Sequence, residues 1–206
     1  MTSKSKAAEK TVLVSSPALP VTFKVTRAFR GHLEDLEVPE TDVFVMTHMN
    51  HAKFGKGTLA LDDFTGGALC RAIEAAGFKG KGGEHLVVDL DDSPIKHVLL
   101  IGLGAQDDVH RTTICAMYRM IVDEAARLGA AKITIPFFPG LLIDVNYRGL
   151  LAVLRCRLGE RHHSGALGNL TEVEILCTAQ ARRHILDGLK VEKQLCPFCR
   201  DPKFKV

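Results

Sequence analysis

The chain has 206 residues, enough for one domain of ordinary size with short tails. Apolar residues make up 46% and charged residues 25%, and a net charge of +3 is too mild to argue for nucleic acid as a partner. No run approaches the roughly 18 apolar residues that would span a bilayer, and six irregularly spaced cysteines do not form a disulfide framework.

The start, MTSKSKAAEK, is polar and lysine-bearing, with no secretory apolar stretch behind it. A reducing cytoplasm is the expected compartment. Residues 1–10 read as a disordered tail, 11–190 as one α/β domain and 191–206 as a second tail. TVLVSS (11–16) and VTFKVTRAF (21–29) are β-type runs broken by Pro17 and Pro20. After the polar link GHLEDLEVPET, DVFVMTH (42–48) is a third strand.

FGKGTLALDDFTGG (54–67) follows, with four glycines. Gly55-Lys56-Gly57-Thr58-Leu59-Ala60 fits a lenient GxGxxA dinucleotide pattern, but the next helix is expected several residues too late for that motif. No GxxxxGK[ST] phosphate loop occurs. Two readings stand side by side. Backbone N–H groups near Gly55 and Gly57, and a helix start at Gly66-Gly67, face an anionic ligand; or the glycines only allow a crossover to pack tightly.

A helix is predicted over 65–76, with Ala68, Leu69, Ala72 and Ile73 on one face and Gly77 as its stop. LVVDL (86–90) and KHVLLIGL (96–103) are apolar enough to be strands buried on both faces. In the loop GLGAQDD, Asp107 and Asp108 favour the start of the next helix; two adjacent acids also repel a phosphate, and a paired-carboxylate metal site is the alternative. That helix spans 111–128, with a stripe of Ile114, Met117, Tyr118, Ile121, Val122 and Ala125.

KITIPFF (132–138) is a strand, and the apolar loop behind it (137–148) suits either an adenine-sized pocket or a subunit interface. Arg148 there could complement a phosphate or a neighbouring carboxylate. A helix over 145–158 closes at Gly159, GERHHSGALGN reads as a loop, VEILCTA (173–179) as a strand and 180–189 as a last helix. Strands alternating with helices predict a three-layer α/β/α sandwich on a mostly parallel mixed sheet. Ligands of such sheets bind beyond the carboxyl ends of the strands, here the loops 48–67, 102–110 and 137–147.

Cys196-Pro-Phe-Cys199 has the spacing of half a tetrahedral zinc site, for which Cys156, His162 and His163 are candidate partners and Cys177 a less accessible one. An inert pair in a tail and a redox pair are the other readings. The scattered histidines, His48 and His184 among them, read as solvated side chains. No nucleophile elbow or carboxylate pair designates a catalytic residue.

Several short motifs in order carry a resemblance: Leu61-Asp62, Gly66-Gly67 and Leu69, then Phe78, Gly80-Lys81 and Gly83-Glu84, then Gly102-Leu103-Gly104. Over about 42–140 the chain resembles the N-terminal domain of leucine aminopeptidases, which looks like a macro domain, a fold that binds ADP-ribose in other proteins. The resemblance implies ligand contacts at Asn50, at Gly55 and Gly57, and from Pro139 and Gly140 to Tyr147, with Asp42 as an adenine-contacting acid. It implies no peptidase chemistry, because nothing here resembles the "NTDAEGR" signature of the family's catalytic domain. Three functions follow as expectations: a non-catalytic module binding an ADP-ribose-type nucleotide, an assembly or regulatory protein that forms oligomers or binds a partner protein, or an ADP-ribosyl hydrolase.

Overall fold

The computed structural model describes residues 11–15, 19–27, 39–50, 52–136 and 146–191. In chain order they form β1 (Thr11–Ser15), β2 (Thr22–Arg27), β3 (Thr41–His48), α1 (Lys56–Phe64), α2 (Ala68–Ala76), β4 (His85–Asp89) and β5 (Ile95–Gly102). Then come α3 (Arg111–Arg127), β6 (Lys132–Pro136), α4 (Tyr147–His163), β7 (Glu172–Cys177) and α5 (Ala179–Leu189). Among the described residues seven strands make one sheet in the order β1-β2-β7-β6-β3-β5-β4. The inner five are parallel, and β1 and β4 pair antiparallel at the two edges.

Side chains alternate across each strand, so the sheet has two distinct faces. One face, with Val43, Val45, Leu99, Ile101, Ile133 and Val173, packs on the apolar stripes of α3, α4 and α5. The other, with Phe44, Val98 and Leu100, packs on Leu61 of α1 and on Leu69 and Ile73 of α2. These layers are the predicted α/β/α sandwich.

The second face changes character beyond β3. Over β2, β7 and β6 it carries Glu174, only 2% exposed, whose Oε1 accepts from the Thr26 hydroxyl at 2.6 Å and pairs with Lys24 Nζ at 3.1 Å. Lys132 Nζ lies 3.3 Å from Oε2, an ion-pair contact without hydrogen-bond alignment. Burial alone would raise the Glu174 pKa; the Thr26 hydroxyl and the two lysines outweigh it and hold the group below its usual range.

Three boundaries differ from the sequence-based expectations. The glycine-rich stretch holds a helix, α1, where a loop was expected. Nine residues starting beside two glycines are a poor helix in isolation, but Leu61 is fully buried in the second core and Thr58 is buried as well. Packing overrides propensity there. Consequently α2 starts only at Ala68. At the other end of the chain α4 runs through Gly159 to His163. Glycine stops a helix by adopting the left-handed conformation, and here Gly165, with φ of +69°, does so instead.

Candidate functional site

The carboxyl ends of the strands form one rim, and β3 and β6 are neighbours in it. After β3 the chain crosses the second face, through α1 and α2, to β4 and β5 on one side. After β6 it crosses the first face, through α4, to β7 on the other side. The connections leave β3 and β6 in opposite directions, so their ends mark the topological switch point of the sheet, the place where open α/β sheets form their binding crevice.

On the β5 side the rim is closed by backbone. Leu103 N donates to the His48 carbonyl at 2.9 Å, Gly104 N to Gly80 O at 2.9 Å, Gly102 N to Glu84 O at 2.7 Å, and Asn50 N to Gly104 O at 2.9 Å. The Glu84 carboxylate accepts from the backbone N–H groups of Lys79 and Lys81 at 3.1 and 2.8 Å. Gly102 is indispensable to this closure: a Cβ there would fall 2.1 Å from the Lys81 carbonyl oxygen. The elements FKGKGGE and GLG are therefore two halves of one clasp over the end of β5.

The LD…GG.L element is a clasp too. The Asp62 carboxylate accepts from Cys70 N at 2.8 Å and caps α2 from five residues upstream of its N-cap. Gly67 takes φ of +80° and donates its N–H to Asp62 O at 2.8 Å. Burial first, and the adjoining Asp62 and Asp63 carboxylates next, push the Cys70 thiol up to about 11.

His48 is not the solvated side chain expected from sequence. Its ring, at the end of β3, packs against Phe54 and Phe78 with centroids 4.7 and 6.3 Å away. Burial lowers its pKa below the usual 6.5, so the ring is neutral at pH 7. Phe54 before the glycine loop and Phe78 after α2 are visible in the sequence, but their shared partner was not legible from spacing. His184 is likewise stacked, parallel to Tyr147 at 6.0 Å.

Two helices begin at this rim. α1 has Gly55 as its N-cap, with no side-chain cap and no acid in its first turn, and neither Gly55 nor Gly57 would crowd a Cβ against anything within 4 Å. Its first N–H groups have no intrahelical partners. α4 starts after β6; Asn146 Oδ1 caps it by accepting from Gly149 N at 2.9 Å, again with no acid in the first turn. Tyr147 and the exposed Arg148 lie on that turn. Asn50 sits between the β3 end and α1, its Oδ1 buried without a hydrogen-bond partner among the described residues.

The structure thus gathers Asn50, Gly55, Gly57, Tyr147 and Arg148 at the carboxyl side of the sheet. Gly66 and Gly67 stand apart from them, at the start of α2, about 13 Å of helix away from the rim that its other end meets. Asp42 lies at the opposite rim. Six residues of β3 place it about 20 Å from His48, and its carboxylate is engaged with Ala131 N (2.8 Å), Lys132 N (2.9 Å) and Lys96 Nζ (2.6 Å). Pro139, Gly140, Cys196 and Cys199 lie outside the described residues.

Residues 43–140 match the model of the N-terminal domain of the cytosol aminopeptidase family. No curated protein sequence matches the chain. In fold it is similar to a mutant of tomato leucine aminopeptidase, at 16% identity and TM-score 0.59, over 86% of this chain and 37% of that one. It therefore spans little more than a third of that enzyme's length. A Trypanosoma brucei macrodomain solved in complex with ADP aligns at 16% identity and TM-score 0.60, over 84% of this chain and 70% of that one. An Oceanobacillus iheyensis macrodomain with ADP aligns at 12% and 0.60, over 87% and 95%. Over residues 43–140 in sequence, and over most of its length in fold, the chain resembles the macrodomain-like N-terminal domain of the leucine aminopeptidases.

Proposed function

We propose that the chain is a cytoplasmic, non-catalytic binding module for an ADP-ribose-type nucleotide, held in the crevice between the carboxyl ends of β3 and β6. The observation that carries this reading is the start of two helices on either side of that crevice with no acid in either first turn. The dipoles of both helices, and the uncapped first turn of α1, favour a diphosphate. The macrodomains of the same fold solved with ADP support the ligand class. In this reading Pro139, Gly140 and Tyr147 contact the base and ribose side, and Arg148 complements the phosphates.

Titration calorimetry with ADP-ribose and ADP is the test, and saturable heat is the expected outcome. Gly57→Glu separates binding from folding. Its Cβ meets no neighbour, replacing a helical glycine stabilises by about 0.5–1 kcal/mol, and an acid in the first turn suits the dipole. The variant is expected to melt no lower than the parent and to bind ADP-ribose at least about tenfold more weakly. No heat at millimolar ligand overturns the reading. A stable oligomer in light scattering would then favour assembly, through the edge strand β1, whose Leu13 is 64% exposed. Turnover of an ADP-ribosylated protein would favour the hydrolase.

A further inference from the structure

α3 and α4 pack side by side on the first face of the sheet, and between them lies a charge that the nucleotide crevice does not use. Arg157 of α4 is only 6% exposed. A guanidinium keeps its proton in a protein, so burial obliges it to find partners. Nη1 donates to the Glu160 carboxylate, one turn on in the same helix, and Nη2 lies 2.7 Å from Cys115 Sγ of α3. Burial opposes the Arg157 charge; the Cys115 sulfur and then Glu160 outweigh it and hold the group above its usual range.

The third nitrogen, Nε, is buried with no hydrogen-bond partner among the described residues. Its N–H and one N–H of Nη2 lie on the same edge of the planar group and point the same way, the fork with which arginine grips two acceptor atoms. One prong meets the Cys115 sulfur and the other meets nothing. The sulfur thus sits before a donor pair that has room for one more acceptor.

The charges that meet between these helices are unbalanced. Arg119 Nη2 lies 3.9 Å from Glu160 Oε1, and Arg161 Nε donates to Asp123 Oδ1 at 2.6 Å. Three guanidiniums therefore face two carboxylates, and the half-exposed Glu160 is shared between two of them. Negative charge on the sulfur evens that count. The nucleophilic form of a cysteine is its thiolate, and an adjacent cation favours it.

Two other thiols stand in different surroundings. Cys70 is pushed up to about 11 by burial and the Asp62 carboxylate, and Cys177 to about 11 by burial that Arg182 only partly offsets. Cys115 itself is 5% exposed, which shuts out bulky electrophiles and the thiols of other proteins and leaves reagents near the size of water. We propose that Cys115 is a modification site for hydrogen peroxide, held ready by the Arg157 fork. The thiolate attacks one peroxide oxygen; the S–O bond forms as the O–O bond breaks, and the second oxygen leaves as hydroxide, which solvent protonates to water. The sulfur is oxidised to a sulfenic acid and the peroxide is reduced. The new oxygen accepts the unpartnered Nε–H and fills the second prong. The site shares no residue with the nucleotide crevice and is tested apart from it.

The folded full chain is treated with peroxide, quenched with catalase, unfolded in a dione that captures sulfenic acids, and mapped by peptide mass. Cys115 is expected to gain the adduct at least about tenfold faster than Cys70 or Cys177. On modification the nitrogen-edited NMR signal of the Arg157 Nε–H should move. Arg157→Met removes the fork and should slow the reaction at least about tenfold; a loosened fold would expose the thiol and speed it, so partial unfolding cannot imitate this result. Glu160→Gln, at a half-exposed residue that still accepts from Arg157, should melt close to the parent and quicken the reaction roughly two- to fivefold, because the guanidinium charge is left to the sulfur. No adduct at Cys115 overturns the proposal, as does Cys70 or Cys177 reacting as fast. An Arg157→Met rate at or above the parent's, or a Glu160→Gln rate below it, overturns it as well.

Discussion

Gly102 holds the most exacting position in the fold. Its backbone passes so close to that of Gly80 and Lys81 that no side chain fits, and the nearest obstacle is a carbonyl oxygen rather than a flexible side-chain end. Gly102→Ala should therefore push the 78–84 segment off the end of β5, breaking the hydrogen bonds of Gly102 N to Glu84 O and Gly104 N to Gly80 O. Overpacking of this kind costs typically 1–3 kcal/mol and occasionally more; a loss of about 3 kcal/mol in urea unfolding is expected. The neighbouring Gly83, with open space at its Cβ but φ of +79°, should cost only its conformational strain when changed to alanine. Equal losses at the two positions would contradict the clasp.

Among the elements, α2 shows how a family motif serves the fold. Its N-cap is Gly67, which has no side chain to accept an N–H, and Asp62 supplies the missing acceptor from within α1. Asp62→Ala should destabilise the protein by about 1 kcal/mol, and Asp62→Asn, which keeps an acceptor, by less. A chemical denaturation series checks this, and equal losses for the two would remove the capping role. The long helices and buried strands were legible in the sequence because apolar periodicity records which face is covered. The helix α1 was not, since only the second core, assembled from Phe44 and Leu100 far along the chain, makes Leu61 a core residue. The site was legible in part for the same reason. Glycines at helix starts are visible as letters, whereas the Phe54 and Phe78 rings around His48, and the separation of Asp42 from the crevice, exist only once strand direction is known.

At the scale of the whole molecule, the second layer of the sandwich is held by two kinds of force. Hydrocarbon covers β3 and β5 and reaches Leu176 of β7, while over β2, β7 and β6 that face also carries an electrostatic cluster centred on Glu174. A carboxylate whose pKa is depressed on folding contributes stability that is complete above its unfolded value, near 4.5, and is lost as pH falls through the folded value. Lys132 acts in the opposite sense: burial opposes its charge, Glu174 and Glu172 outweigh that, and its contribution is lost as pH rises above about 10.5. Glu174→Ala, which strands two partly covered lysines, should cost about 3 kcal/mol at neutral pH and flatten the acid limb of the melting-temperature profile below pH 4.5. An acid limb as steep as the parent's would refute the assignment. Acid should then fray this molecule from one flank: amide exchange in β1, β2 and β7 would quicken first, while β3 and β5, glued by oil rather than by charge, keep their protons until the whole chain lets go.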